Sequence, residues 1–239
     1  MPVLLLAACS QPTAELGTGQ PSLNTARAAL DGGGPDVALS ICTRIGATRP
    51  SSDALTCQGD ALAALGRPNE ADTAYANALV LAPRSVGALL GLGRLRLADN
   101  PGRAEELLLL ALAQNPREAA VLNNLGIARD LQGRHAEAQK SYGEAIAANP
   151  SMRAAQVNLA LSMALSGQPD AAARLLLPLA GGLDASLRER HDLAAVLAMA
   201  GRTTEAARLL SPDLQGADLD AALAGYRALL AASRTSRLQ

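Results

Sequence analysis

The chain has no phenylalanine and no tryptophan, and only three tyrosines, Tyr75, Tyr142 and Tyr226, in 239 residues. It is nonetheless 49% apolar, so its core must be built from leucine and alanine. Alanine has the best intrinsic helix propensity and lets helices approach closely. Each alanine buries little area, so stability has to come from summing many neighbour contacts. The missing aromatics also remove any platform for stacking bases. Basic and acidic residues, 21 against 22, are interspersed and form no basic stripe. Both facts argue against nucleic acid as a partner. No apolar run reaches the roughly 18 residues of a membrane span.

Chemistry is equally sparse. An enzyme needs a nucleophile, an acid and a base converging in one pocket, and no such set can be picked out. His135 falls in a turn and is expected to be solvated, while His191 lies on a helix that could face a groove. Gly32-Gly33-Gly34 is followed by no Gly-Lys-Ser/Thr, so a turn explains it better than a phosphate loop. Glu105 and Glu106 read as a solvated helix face. The expectation is a non-catalytic protein with no cofactor, no metal and no small-molecule substrate.

What the chain does have is a beat. Gly66-Arg67-Pro68-Asn69-Glu70-Ala71 recurs in kind as Gly133-Arg134-His135-Ala136-Glu137-Ala138 and as Gly201-Arg202-Thr203-Thr204-Glu205-Ala206. Pro50, Pro83, Pro116 and Pro150 keep the same interval, 33 or 34 residues. A fixed period in this range means stacked helix-turn-helix units. Gly66, Gly133, Gly167 and Gly201 are expected to end first helices. Gly59, Gly93 and Gly126 fall mid-helix, where glycine loses about 1 kcal/mol against alanine, so close helix contact should compensate. Ala71, Ala138, Ala172 and Ala206 let the second helix lie against the first. Pro178 and Pro212 fall early, and the second helices of the last two units should stop there. A final amphipathic stretch, 219–232, carries Leu223, Tyr226, Leu229 and Leu230 at helical spacing and reads as a cap over the last unit.

This pattern resembles the tetratricopeptide repeat (TPR) over residues 20–213. The resemblance implies an all-α, right-handed superhelical solenoid of about six units with a C-terminal capping helix over 214–232 and a disordered tail over 233–239. The family's bulky positions are expected to hold leucine and alanine in place of aromatics. In such a solenoid the inner face of first helices is the candidate surface. In the fourth unit Asn123, Ile127 and Asp130 share one side of the first helix, and analogous positions offer Asp60, Arg94, Asn124, Asn158 and His191. Few polar groups among many alanines and leucines suit an amphipathic helix or an extended peptide. The Lys/Asn/Arg set with which some TPR domains clamp a C-terminal carboxylate is missing.

Leu6-Ala7-Ala8-Cys9 reads like a bacterial lipobox, with residues 1–8 as the remnant of a signal peptide whose basic start is expected upstream. The alternative is an apolar terminus with an incidental cysteine. Residues 9–19 are polar and rich in Pro, Gly, Ser and Thr, as a tether between an anchor and a folded domain should be. Ser10, where Asp would favour the inner membrane, favours the outer membrane of a two-membrane bacterium. Acyl chains on Cys9 would then hold the protein there. The other cysteines, Cys42 and Cys57, lie nearly symmetrically about Pro50. In a helical hairpin that placement allows a disulfide, and it equally allows two buried thiols. Neither histidine lies near this pair, which argues against zinc.

A lipobox followed by an Ala/Leu-rich array resembles the TadD-type lipoproteins of tight-adherence (Flp) pilus assembly. Ala88-Leu89-Leu90-Gly91-Leu92-Gly93-Arg94 and Leu223-Ala224-Gly225-Tyr226-Arg227 add to the likeness. It implies a protein on the periplasmic face of the outer membrane that assists a secretin or another pilus component. The competing expectation is a periplasmic chaperone or adaptor for an envelope enzyme or another export system.

Overall fold

The computed structural model describes residues 22–180, 182 and 185–235. The expected signal remnant, Cys9 and the linker to residue 19 lie outside the described residues. Those described form thirteen α-helices and no strand. Six pairs follow one another: α1 (Leu23–Asp31) with α2 (Pro35–Thr48), α3 (Ser52–Ala64) with α4 (Pro68–Leu81), and α5 (Val86–Arg96) with α6 (Pro101–Leu112). Then come α7 (Ala119–Leu131) with α8 (His135–Ala148), α9 (Arg153–Leu165) with α10 (Pro169–Ala180), and α11 (Leu187–Met199) with α12 (Thr203–Leu210). The last helix, α13 (Gly216–Thr235), closes the stack.

Local chemistry sets each boundary. Second helices α2, α4, α6 and α10 open on proline, whose missing N–H has no intrahelical partner in the first turn anyway. First helices α1, α3, α5 and α11 are capped by Ser22, Ser51, Ser85 and Ser186, whose hydroxyls accept from backbone N–H groups. In every unit but the third the inner turn passes through a left-handed glycine, with φ of +70° at Gly66 and +73° at Gly133.

Each helix packs on its neighbours in the chain. First helices also touch in succession from α1 to α11, whereas second helices touch no other second helix among the described residues. The result is a solenoid with one face of first helices. The beat alanines Ala71, Ala104, Ala138, Ala172 and Ala206 are all fully buried. Tyr75 and Tyr142 correct the expectation of leucine and alanine at every bulky position: each is 2% exposed and central to its unit. They also account for the mid-helix glycines. A Cβ on Gly59 would sit 2.5 Å from the Tyr75 ring, and Gly126 faces Tyr142 in the same way. Gly93 meets Leu108 instead.

Two boundaries differ from expectation. Pro178 does not stop α10, which runs on to Ala180. Proline there removes only one hydrogen bond in the last turn, and Leu176 and Ala180, both buried, hold that turn to the core. The cap α13 is helical through Thr235, past the 232 boundary and into the stretch expected to be disordered. It packs on α11 and α12, with Leu223 buried and Leu219 and Tyr226 against the same core. After α12 the helix does stop before Pro212.

Cys42 on α2 and Cys57 on α3 are joined as a disulfide, with Cα atoms 5.8 Å apart and a sequence separation of 15. Closing a loop of that size stabilises by about 3 kcal/mol. Reductant, or Cys57→Ala, is therefore expected to lower the first unit's stability by about that amount in denaturant titrations. Equal unfolding midpoints with and without reductant would contradict the bond.

The junction between the fifth and sixth units hangs on Arg153. Its Nε donates to Glu189 Oε1 at 2.6 Å, and its Nη2 to the Leu179 carbonyl at 2.9 Å. Glu189 also accepts from the Ser186 N–H and hydroxyl, each at 2.9 Å. The Arg153 hydrogen bond, then the Ser186 backbone, hold the Glu189 carboxyl down at about 2, against an ordinary 4.5. A depressed folded-state value means that the contribution is complete above pH 4.5 and fades as pH falls toward 2. Amide protection factors at the start of α11, which correct for the intrinsic pH dependence of exchange, should fall over that window in the wild type and stay flat in Glu189→Gln. A wild-type profile as flat as the variant's would refute the coupling.

Candidate functional site

The inner face begins with a cleft of about 370 Å³ between α1, α3 and the start of α5. Its lining includes Asn24, Arg27, Thr56, Asp60, Ser85 and Gly87. Asp60 is the anchor. It accepts from the Tyr75 hydroxyl at 2.7 Å, so the buried ring orients a carboxylate that faces the cleft. Burial pushes the Asp60 carboxyl above its ordinary range. The Tyr75 bond and the charges of Arg94 and Arg27 pull it back. The Thr56 hydroxyl is buried in the same cleft with no protein partner.

Arg27, Asp60 and Arg94 occupy equivalent places on α1, α3 and α5, 33 and 34 residues apart. The same register continues as Ile127 and Leu161, both partly buried. This register thus carries a charge ladder, plus, minus, plus, at the first three units and apolar residues at the next two. Arg27 was legible in the period, one interval before Asp60. Thr56 carried no sequence signal, because its exposure to a cleft depends on Gly87 of the next unit offering no side chain.

The other expected groove residues are held by the scaffold. Asp130 accepts from Tyr142 at 2.9 Å and Ser162 at 2.7 Å, and meets His135 Nδ1 at 2.8 Å. His135 is therefore not a solvated turn residue; it opens α8 against Asp130. Asn123 is 7% exposed and accepts from Asn158 across α7 and α9 at 3.0 Å. Asn124 donates to the Ala120 carbonyl of its own helix at 2.7 Å. His191 sits beside Asp213 of the α12–α13 connection, 3.7 Å away. Glu105 is no solvated residue either. It is bridged by Arg129 and Gln132, each at 3.0 Å, and by Arg134. Of the expected set only Asp60 lines the cleft, with the charge of Arg94 acting on it from α5.

No protein-family model matches the chain, and no curated protein matches it by sequence. The likeness is to solved structures. A thermophilic TPR protein of Thermus thermophilus superposes with a TM-score of 0.65 at 22% identity, covering 73% of this chain and 96% of its own. PilW, a widely conserved type IV pilus biogenesis factor, gives 0.70 at 19% identity, with 84% and 96% covered. PilF of Pseudomonas aeruginosa gives 0.67 at 18% identity, with 86% and 95% covered. The fold is that of a TPR solenoid.

Proposed function

We propose that the protein is a non-catalytic scaffold that holds a protein partner along the inner face of its solenoid. The observation that carries this reading is the ladder Arg27–Asp60–Arg94, whose first two rungs line the open cleft and whose register continues into Ile127 and Leu161. A ladder of alternating charge followed by an apolar stretch suits one extended segment with charged residues at one end and apolar ones at the other. More finely, the protein is an outer-membrane lipoprotein, anchored through Cys9, that assists a secretin or another component of a tight-adherence (Flp) pilus. The lipobox and tether of the sequence support the anchor. The likeness in fold to PilW, a type IV pilus biogenesis factor, supports the setting.

Two measurements test the two levels. Co-purification from native membranes should recover a pilus or secretin component with the wild type and lose it with Arg27→Glu/Arg94→Glu. Recovery unchanged by the double reversal would remove the groove from the account. Cell fractionation should move Cys9→Ala from the membrane to the soluble envelope fraction. If both forms fractionate alike as soluble protein, the anchor is wrong and the scaffold reading stands alone.

A further inference from the structure

In the first four units the residue after the beat alanine reaches across to the first helix or inner turn of the next unit. Leu39 fills the first junction, packing on the clusters of both flanking units. Asp72 pairs with Arg96 across the second. Glu105 joins Arg129 and Arg134 across the third. Gln139 donates to Ser166 across the fourth at 2.9 Å. In the fifth unit the equivalent residue is Ala173, too short to reach across. Arg202 stands where Arg134 does, yet its carboxylate partner is Glu205 of its own helix, at 2.7 Å.

The result is an open groove of about 400 Å³ between α10, α11 and α12, sharing no residue with the first-helix cleft. Its floor is Leu193 and Leu197, and its walls carry Leu177 and Leu209. Leu177 is 58% exposed, an uncovered leucine at the lip of an apolar trough. The rim holds three arginines, Arg174, Arg202 and Arg208, against the one acidic residue Glu205. Glu205 is bound to Arg202, and Asp170 also acts on Arg202. The charge of Arg208 also acts on Glu205, so the rim's single carboxylate is shared among arginines and the rim keeps an excess of positive charge.

We propose that this groove is a second docking surface, and that its occupant is an amphipathic helix of a partner protein with an apolar stripe flanked by Asp or Glu. The apolar trough takes the stripe, and the excess of arginine on the rim, three against one Glu, sets the sign of the flanks. It is independent of the inner cleft, so the protein can hold two segments at once.

The test uses the full chain and two synthetic helical peptides of about 18 residues, long enough to hold helix on binding. Both carry leucine at i, i+3, i+4 and i+7; one is flanked by Glu and the other by Lys. Fluorescence anisotropy should show binding of the Glu peptide and little of the Lys peptide. Ala173→Leu, which closes the trough as Leu39 does, should weaken binding by about tenfold or more, and so should Arg174→Glu/Arg208→Glu on the exposed rim. Arg94→Glu, on α5 of the first-helix face, should leave it unchanged, which separates this site from the proposed partner groove. The proposal is overturned if both peptides bind equally or neither binds, or if the rim reversal has no effect. It is also overturned if light scattering shows a concentration-dependent dimer that Ala173→Leu breaks, since the occupant would then be a second copy of this chain.

Discussion

Tyr75→Ala is expected to cost about 3–5 kcal/mol, the range for truncating a fully buried aromatic. The ring is 2% exposed and lies between the backbones of α3 and α5, where Gly59 and Gly91 leave no side chain. A Cβ on Gly59 would come to 2.5 Å of the ring, and one on Gly91 closer still. In an exposed helix Gly→Ala gains about 1 kcal/mol. Here Gly91→Ala must displace the ring, and overpacking of this kind costs about 1–3 kcal/mol instead. Tyr75→Ala has a second effect, because the Asp60 carboxylate loses the donor that aims it into the cleft. Denaturant titration should therefore show both variants less stable, with Tyr75→Ala the worse. A Gly91→Ala variant more stable than wild type would mean that the ring is not wedged between the two helices.

Asp130→Ala should be comparably damaging, at about 2–6 kcal/mol. The estimate follows from stranding two buried hydroxyls at about 1–3 kcal/mol each. Tyr142 and Ser162, 2% and 0% exposed, both donate to this carboxylate and have no second acceptor of equal reach. Asp130 also ties three elements together: α7, which bears it, α8 through Tyr142 and His135, and α9 through Ser162. Loss of the tie should loosen the joint between the fourth and fifth units first, seen as faster amide exchange in α8 and α9. A surface position would shift stability by no more than about 0.5 kcal/mol. If Asp130→Ala stays within that limit and partner recovery falls, Asp130 is a binding residue after all, as its helical face suggested.

That contrast shows what the sequence could and could not carry. The beat of Gly, Ala and Pro reports backbone needs: left-handed turns, close approach of paired helices, a stop before the next unit. Those needs are local, so twelve paired helices and the cap were legible. Asp130, Asn123 and Asn158 look like groove residues on a helical wheel because a wheel shows one helix. Their partners come from elsewhere: Tyr142 is 12 residues on, Ser162 is 32 and Asn158 lies 35 from Asn123. Pro178 was misleading for a related reason, since tertiary burial of Leu176 and Ala180 outweighed one lost backbone bond. Nothing local in the sequence explains Gly91, because its reason is the ring of Tyr75 in the preceding unit. The ladder Arg27–Asp60–Arg94, by contrast, lies in the period itself.

The central claim is that the first-helix face, along the Arg27–Asp60–Arg94 ladder, is where this solenoid holds a protein. Site-specific photo-crosslinking in the native host tests it most directly. A photoreactive residue replaces Asn24, exposed at the cleft, or Lys140, exposed on a second helix. Position 24 should give a discrete protein adduct that disappears in Arg27→Glu/Arg94→Glu, and position 140 should give none. Adducts of equal yield at both positions, or an adduct at 24 that survives the double reversal, would contradict the account.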